Sequence, residues 1–450
     1  MLQGVSVLVA GAGLAGLTAA RDLVAMGATV TVIDPRDRVG GRISTIRNGF
    51  HAGQHAEAGA DLIDDVHTEL RQLVDSLGLK LVQILKHGWA YARRDENGTV
   101  RRVPRDEAHG WERLAMALAP LIERYNLAER RWESPIVQAM ARQSVTQWLE
   151  NSHADAELRV SAAGLGGFFL ADPDELSLIA IVDEFSSDDT PIAPKTYRVV
   201  GGNDQIATAL AAPLGDRLRL GTELAALSQR GPRVRASLKH KRQTQQLTCD
   251  YVVCTLPASV LRRIPITPAL PSQQHEAIAA LKYGRATKSL LQFSSRFWKV
   301  PGQPSAYGSG LPFGATWDAN EEQRGKPAIL TLLAGGSASD ATQEAIGREG
   351  APALVRQLEW LGSQRAQLLS AHHVSWEADP FARGGYAFFD PAFAPELRRW
   401  LAQPCGRSFF AGEHTSLRWQ GYMNGAVESG RRAAAEVAAQ HTLGSVAPRA

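Results

Sequence analysis

Gly11, Gly13 and Gly16, followed by Asp34, have the residue types and spacing that hold a dinucleotide. Each has its own physical task. Gly11 permits a tight turn, Gly13 lets backbone approach a pyrophosphate, and Gly16 lets a helix pack closely on a strand. Asp34 stands where an acidic side chain would hold the ribose hydroxyls of an adenosine half. The elements that must position these residues are legible too. Val5–Ala10 reads as a buried strand, an alanine-rich helix runs to Met26, and Thr29–Ile33 reads as a second strand ending at Asp34. The helix N-terminus offers free N–H groups and a partial positive charge to phosphates. The bland alternative is a glycine-rich turn that binds nothing, and the complete strand–turn–helix–strand unit weighs against it.

Directly after Asp34 comes Pro35-Arg36-Asp37-Arg38-Val39-Gly40-Gly41-Arg42. A nicotinamide dinucleotide has no general need of this extension. FAD, held extended, benefits from further backbone and from an arginine beside its phosphates, Arg42 first and Arg36 second. Taken alone, the extension reads equally well as a surface turn with solvated arginines.

A length of 450 residues fits about two or three domains, and 44% hydrophobic residues support substantial cores. The net charge of +3, with no lysine–arginine block, argues against a nucleic-acid partner. No apolar run reaches the roughly 20 residues that span a bilayer. The chain opens on its first strand, so no leader peptide is expected. Cys249, Cys254 and Cys405 have neither a disulfide nor a zinc spacing, and no metal is expected. The expectation is a cytoplasmic protein that binds neither nucleic acid nor membrane.

The segment Gln54–Ile63 leads into an amphipathic helix at Thr68–Leu77. Residues 107–190 are mostly helical in pattern, broken at Pro120, Pro135 and Pro173. Tyr197–Val200 reads as a strand entering a glycine turn, with a helix at Gln205–Ala211. Leu218–Leu227, Arg233–Leu238 and Tyr251–Thr255 read as strands, the last apolar enough to be central. Ala286–Phe293 and Ala328–Ala334 belong to a second sheet, and a long helix spans Asn424–Gln440 before a loose tail from Gly444. The fold class is α/β (α+β), with two domains alternating along the chain. Residues 1–75, 197–286 and 374–442 are assigned to a Rossmann-like nucleotide-binding domain. Residues 76–196 and 287–373 form a substrate domain of mixed sheet and helices, and 443–450 a tail.

Phe410-Ala411-Gly412-Glu413-His414-Thr415, with Gly421-Tyr422-Met423-Asn424-Gly425-Ala426 and a following helix, is the second informative block. Together with the N-terminal unit and Gly40-Gly41-Arg42, it resembles the flavin-containing amine oxidases, which include the monoamine and polyamine oxidases. The resemblance covers both ends of the chain by motif and the middle by arrangement. It implies the two-domain fold of that family, with FAD stretched between the two ends. On the N-terminal side it implies contacts from Gly11, Gly13, Leu14, Ala15 and Gly16, from Asp34, Pro35 and Arg36, and from Gly40, Gly41 and Arg42. Gly59, Ala60, Asp61 and Leu62 would follow, with Leu224 and Trp376 from the middle of the chain. Gly412, Glu413, Tyr422, Met423 and Ala426 would close the site, Glu413 at the diphosphate–ribitol region. Met423 opens a helix whose dipole can support negative charge on a reduced flavin.

The resemblance also implies three catalytic residues. Lys288, in Thr287–Phe293 and upstream of Phe297-Trp298, matches a lysine that holds a water against flavin N5. Read alone, a strand lysine is a guard on an exposed sheet edge. Tyr386, at the end of Trp376–Tyr386, and Tyr422 match two tyrosines that wall the amine's path to the flavin. Their ring faces are electron-rich and flat, which suits an amine; singly, each reads as core packing. Animal monoamine oxidases carry a cysteine just before the first of these tyrosines, linked covalently to the flavin. Gly385 stands there, which implies non-covalent FAD. The membrane-anchoring tail of those enzymes has no counterpart.

The implied reaction is oxidation of a small-molecule amine. A hydride equivalent passes from the neutral amine to flavin N5, the imine hydrolyses to a carbonyl compound, and O2 is reduced to H2O2. Amino-acid oxidases of this fold place an arginine shortly after the glycine matching Gly59, and here the residues are Ala60-Asp61-Leu62. Asp61 is therefore expected to help recognise a cationic substrate, beside Tyr386 and Tyr422; a solvated loop or an Asp61–arginine surface pair is the other reading. A flavin desaturase or porphyrinogen-type oxidase, an L-amino-acid oxidase and a non-catalytic FAD-binding protein remain alternatives. Asp183-Glu184 with Asp188-Asp189 reads as a solvated acidic loop, with the substrate entrance as its place and no role assigned, and His372-His373, on opposite faces of a strand, as no shared ion site. A homodimer is compatible with the sequence, which does not identify the amine.

Overall fold

The apolar run Ser6–Ala10 becomes the middle strand of a five-stranded parallel sheet in a computed structural model. The structure describes residues 2–95, 97–102, 110–129, 131–164, 166–186, 195–309, 311 and 313–446. Across this sheet the order is Leu218–Arg219, Thr29–Ile33, Ser6–Ala10, Tyr251–Cys254 and Ser408–Phe410, every pair parallel. Strands buried on both faces need continuous apolar sequence, which Val7–Ala10 and Tyr251–Cys254 supply. One face is covered by the helix Leu14–Ala25 with the C-terminal helix Met423–Val446. The other packs Leu8, Ala10 and Ile33 against Leu224, Leu227 and Leu238 of a four-stranded sheet.

The two helices lie unusually close. A Cβ at Gly16 would stand 1.9 Å from the Gly11 carbonyl oxygen, and one at Gly430 would stand 2.4 Å from that of Ala15. Only glycine lets the helix rest on the turn and the second helix rest on the first.

A second, seven-stranded sheet runs Leu368–Ser375, Ala286–Phe293, Ala328–Gly335, Ala315–Asp318, Ala306–Ser309, Trp89–Arg94 and Val100–Arg102. Ala286–Phe293 is buried along its whole length and paired on both sides, so Lys288, opposite Leu333 and Val374, is no edge guard. Helices between residues 110 and 185 build a separate core that reaches Phe389 and Phe393. Sheet membership thus alternates along the chain.

Several elements differ from the sequence expectation. The helix Gly110–Leu127 runs through Pro120 on its exposed side, where Met116, the residue four before it, is also exposed. Leu218–Leu227 is two strands, one in each sheet, divided at Gly221 (φ +63°). Gln243–Cys249, too polar on its open face to read as a strand, pairs along Arg233–His240. Asp183 and Glu184 lie in the helix Leu178–Phe185 and are hydrogen-bonded, not in a solvated loop; Asp188 and Asp189 fall outside the described residues. The C-terminal helix continues through residues 444–446, where a tail was expected, and 447–450 fall outside the described residues.

Glu57 ties the short ribbon of Thr45–Ile46 and Ala56–Glu57 to the start of the helix Asp204–Ala211. Its carboxyl accepts the Asn203 N–H at 2.9 Å and the Thr45 hydroxyl at 2.8 Å. Burial, then the nearby Asp61 charge, push its pKa up to about 8 against those hydrogen bonds. A carboxyl raised in the folded state stabilises fully below its unfolded pKa, and the contribution is lost as pH rises through about 8. Glu57→Gln should therefore flatten the fall in melting temperature over that interval, by an effect on the order of 5 kcal/mol. An unchanged slope in thermal melts across pH would contradict it. Gly16→Ala should cost roughly 2 kcal/mol or more through overpacking against the Gly11 carbonyl, seen in the same melts.

Candidate active site

A cavity of about 2200 Å³ runs from the glycine turn to the second sheet. At one end it is lined by Gly11, Gly13, Leu14 and Ala15, where the helix begins with its first N–H groups free of any side-chain cap. A Cβ at Gly13 would meet no protein atom within 4 Å, so backbone alone faces the hollow. Gly40 and Gly41 lie alongside: the Gly40 N–H donates to the Ala12 carbonyl at 2.9 Å. Gly16 does not reach the cavity and serves the helix packing instead.

Asp34, at the end of its strand and buried, closes the turn. One carboxylate oxygen accepts the Ala12 N–H and the other the Arg36 N–H, both at 2.9 Å. Each oxygen keeps a further acceptor site for a hydroxyl. Burial raises the Asp34 pKa, opposed by those two N–H groups. Pro35, Arg36 and Leu224 line the same end.

Neither arginine of the expected phosphate pair is free. Arg36 donates to Asp379 at 2.7 Å and lies over the Phe381 ring. Arg42 Nη1 donates to Glu413 at 2.8 Å and to the Gly385 carbonyl at 2.7 Å. The second Glu413 oxygen accepts the Gly421 N–H at 2.9 Å. Burial works against the Arg42 charge, but Glu413 outweighs it and lifts its pKa above the ordinary value. The ion pair joins the two sequence blocks across the whole chain and fixes the turn that precedes Tyr422. Gly412, Met423 and Ala426 face the cavity beside it.

Gly59, Ala60 and Leu62 line the middle of the cavity, and Trp376 donates its indole N–H to the Ala58 carbonyl there. Lys288 enters from the second sheet. Its Nζ donates to Asp61 Oδ2 and to the Gly59 carbonyl, both at 3.0 Å, and lies 5.1 Å from the centre of the Trp317 ring. Asp61 is not available to a substrate, contrary to expectation. Its Oδ2 also accepts the Trp317 indole N–H at 2.9 Å, and its Oδ1 accepts Arg198 Nε at 2.5 Å. Arg198, buried at 2%, spends its remaining donors on Glu322 and on the Ala319 and Asp318 carbonyls. Burial opposes the Asp61 charge, yet Arg198 and then Lys288 hold its carboxyl below the ordinary range. Burial lowers the Lys288 pKa, and Asp61, already shared with Arg198, does not restore it.

The two tyrosines stand on loops pinned at both ends. Tyr386 donates its hydroxyl to the Phe168 carbonyl, and Gly421 packs against its ring. Tyr422 donates to Glu184 Oε1 at 2.5 Å, while its ring meets His67 at 5.1 Å and Trp419 at 5.9 Å. Glu184 is open to the hollow yet enclosed by protein, which raises its pKa. Burial holds His67 near pKa 4, so this imidazole is neutral, and its Nδ1 accepts the Asp64 N–H at 3.0 Å. At Gly385 a Cβ would stand 2.4 Å from Leu170 Cδ1, so the space where a side chain could reach the cavity is already filled.

Sequence reasoning brought nearly all of these residues to one cavity but missed Arg198, Trp317, Glu184 and His67. An arginine on the inward parity of a strand is one usable signal, since a buried charge requires a partner.

The model for flavin-containing amine oxidoreductases matches residues 14–438. Flavin-containing amine oxidase A of Sus scrofa is 27% identical over 99% of this chain and 86% of its own. Cyclohexylamine oxidase from Brevibacterium oxydans IH-35A superposes with a TM-score of 0.86 at 26% identity, covering 97% of this chain and 99% of that one. Wild-type putrescine oxidase bound to putrescine has a TM-score of 0.82 at 24% identity, with the same coverage, and shares the fold. With the family model matched over residues 14–438, nearly the whole chain, the chain belongs to the flavin-containing amine oxidoreductases.

Proposed function

We propose that the protein oxidises a small amine, taken up neutral, to an imine that hydrolyses to a carbonyl compound, with non-covalent FAD as acceptor and O2 reduced to H2O2. The observation that carries the reading is Lys288: a buried amine, presented to the same cavity as Tyr386 and Tyr422. A desaturase frame has no need of this set.

The residues fit the cofactor. Open space beside Gly13, the uncapped N-terminus of the helix Leu14–Ala25 and the unfilled acceptor sites of Asp34 suit a diphosphate and a ribose. Residues 1–75, 197–286 and 374–442 would hold it, and 76–196 with 287–373 would form the substrate side. A bound flavin supplies acceptance of a hydride equivalent from the amine's C–H bond. The chain supplies position and exclusion of water. Tyr386 and Tyr422, hydroxyls already engaged, turn ring faces rather than donors toward an amine. Lys288 keeps one position on Nζ beyond its bonds to Asp61 and Gly59, enough to hold a water.

Anaerobic addition of a reactive amine should bleach the flavin's visible absorbance, and a panel of mono-, di- and polyamines that leaves the colour intact would sink the proposal. Acid precipitation should leave a colourless pellet and a yellow supernatant, since Gly385 offers no thiol; a yellow pellet would show a covalent link. Lys288→Met should slow flavin reduction or re-oxidation on the order of 10²-fold while flavin stays bound. Stopped-flow traces identical to those of the unaltered protein would remove Lys288 from the reaction.

A further inference from the structure

Asp61, facing the cavity, accepts hydrogen bonds from three side chains, and these come from three separate elements. Lys288 lies on the Ala286–Phe293 strand, Trp317 on Ala315–Asp318 and Arg198 on Thr196–Val199. Four side chains meet here with almost no exposure: 6% for Asp61, 3% for Lys288, 3% for Trp317 and 2% for Arg198. Three donors converge on one carboxylate, each within 3.0 Å. A buried carboxylate shared in this way cannot also face a substrate, because its desolvation is already offset by protein donors.

We infer that Asp61, anchored by Arg198 and Trp317, is the positioning residue of Lys288: it fixes where the ε-amine stands and leaves one of its positions for the cavity. The inference rests on the proposed role of Lys288 in amine oxidation. Lysine has three N–H donors when charged, and two with a lone pair when neutral. Asp61 and the Gly59 carbonyl take two in either state. The third position is directed by elimination, without any contact to the ligand. Arg198 makes the sharing uneven. It holds Oδ1 at 2.5 Å and draws the carboxylate's charge, so Lys288 receives only part of a counter-ion. The charged and titratable groups that face Lys288 are Asp61 and Glu57 from the segment 57–61, and Arg198 from the strand Thr196–Val199 of a separate three-stranded sheet. Glu57 is itself pushed up to about 8, so it adds little negative charge at neutral pH.

The direct test reads Lys288 in the flavin-free protein. Acetic anhydride acylates only neutral amines, is small enough for the cavity, and marks Lys288 in a peptide identified by mass spectrometry. In the unaltered protein, Lys288 should label at lower pH than surface lysines. Asp61→Asn removes the counter-ion and should move the labelling midpoint down by about one pH unit, a tenfold faster reaction at fixed pH. That variant leaves buried Arg198 with Glu322 alone as its carboxylate partner among the described residues and risks misfolding. Trp317→Phe removes one donor and no charge, leaves more of the carboxylate to Lys288, and should move the midpoint up. A Lys288 midpoint unmoved by either variant, or no labelling at any pH while surface lysines react, would overturn the inference.

A second readout keeps its failure distinct from that of the amine-oxidase reading. Flavin reduced by light is re-oxidised by O2 without any amine. Asp61→Asn and Lys288→Met should each slow this step, and the double variant should be no slower than the slower single one. Independent, multiplying effects would overturn the inference, as would an altered KM for amines with both half-reactions intact. Normal labelling and coupling in a protein that no amine reduces would retain the pair and reject the reaction.

Discussion

Backbone meets backbone, with no side chain between, where the helix Leu14–Ala25 rests on the Gly11 turn and Met423–Val446 rests on that helix. The rest of the site depends on this approach. A methyl group at Gly16 or Gly430 would collide with a backbone carbonyl, at 1.9 Å from Gly11 and 2.4 Å from Ala15, and would force the helices apart. The closeness brings two helix N-termini, from the first and last parts of the chain, to one hollow. A ligand with anionic groups is favoured there before any charged side chain is counted.

Charged side chains then fasten what the glycines bring together. Arg42 and Glu413 join the first and last sequence blocks, and Arg198, Asp61 and Lys288 join the loop after Gly59 to the second sheet. Such buried pairs are weak sources of net stability, because removing charge from water costs about what their attraction returns. Their value is geometric. Each has directional donors, and a slipped arrangement would strand a buried charge. The cofactor side and the second sheet are therefore held in register by contacts that tolerate little sliding.

Much of this was legible in the residues. Gly11, Gly13, Gly16 and Asp34 carry a local pattern, and Ala286–Phe293 reads as a strand, although its lysine, read alone, marks an exposed edge and only the pairing on both sides shows it buried. What escaped was long-range and polar. Arg198 shares the inward parity of its short strand with Thr196, but its partner Asp61 is distant in sequence, so nothing local names the carboxylate that offsets its burial. Asp61 was legible as important and misread in kind, since a lone aspartate near a site gives no sign of the donors that will occupy it. Glu184 was taken for part of an acidic loop because adjacent charges usually are solvated. Tyr422 made it a wall of the cavity. Periodicity reports faces, and hydrogen-bond partners across sheets leave no period.

Both tyrosines facing the cavity are tethered by their hydroxyls to the helical layer, Tyr386 to Phe168 and Tyr422 to Glu184. Their tilt is thus set by segments that sequence change can reach without touching either ring. A drift in the turn Gly166–Phe169 or in the helix Leu178–Phe185 would reshape the gap between the rings while the reacting groups stay put. The fold separates what must be kept from what can be varied. Lineages sharing this chemistry could diverge in the molecules they accept through remote, individually mild substitutions, with selectivity inherited from the scaffold's periphery.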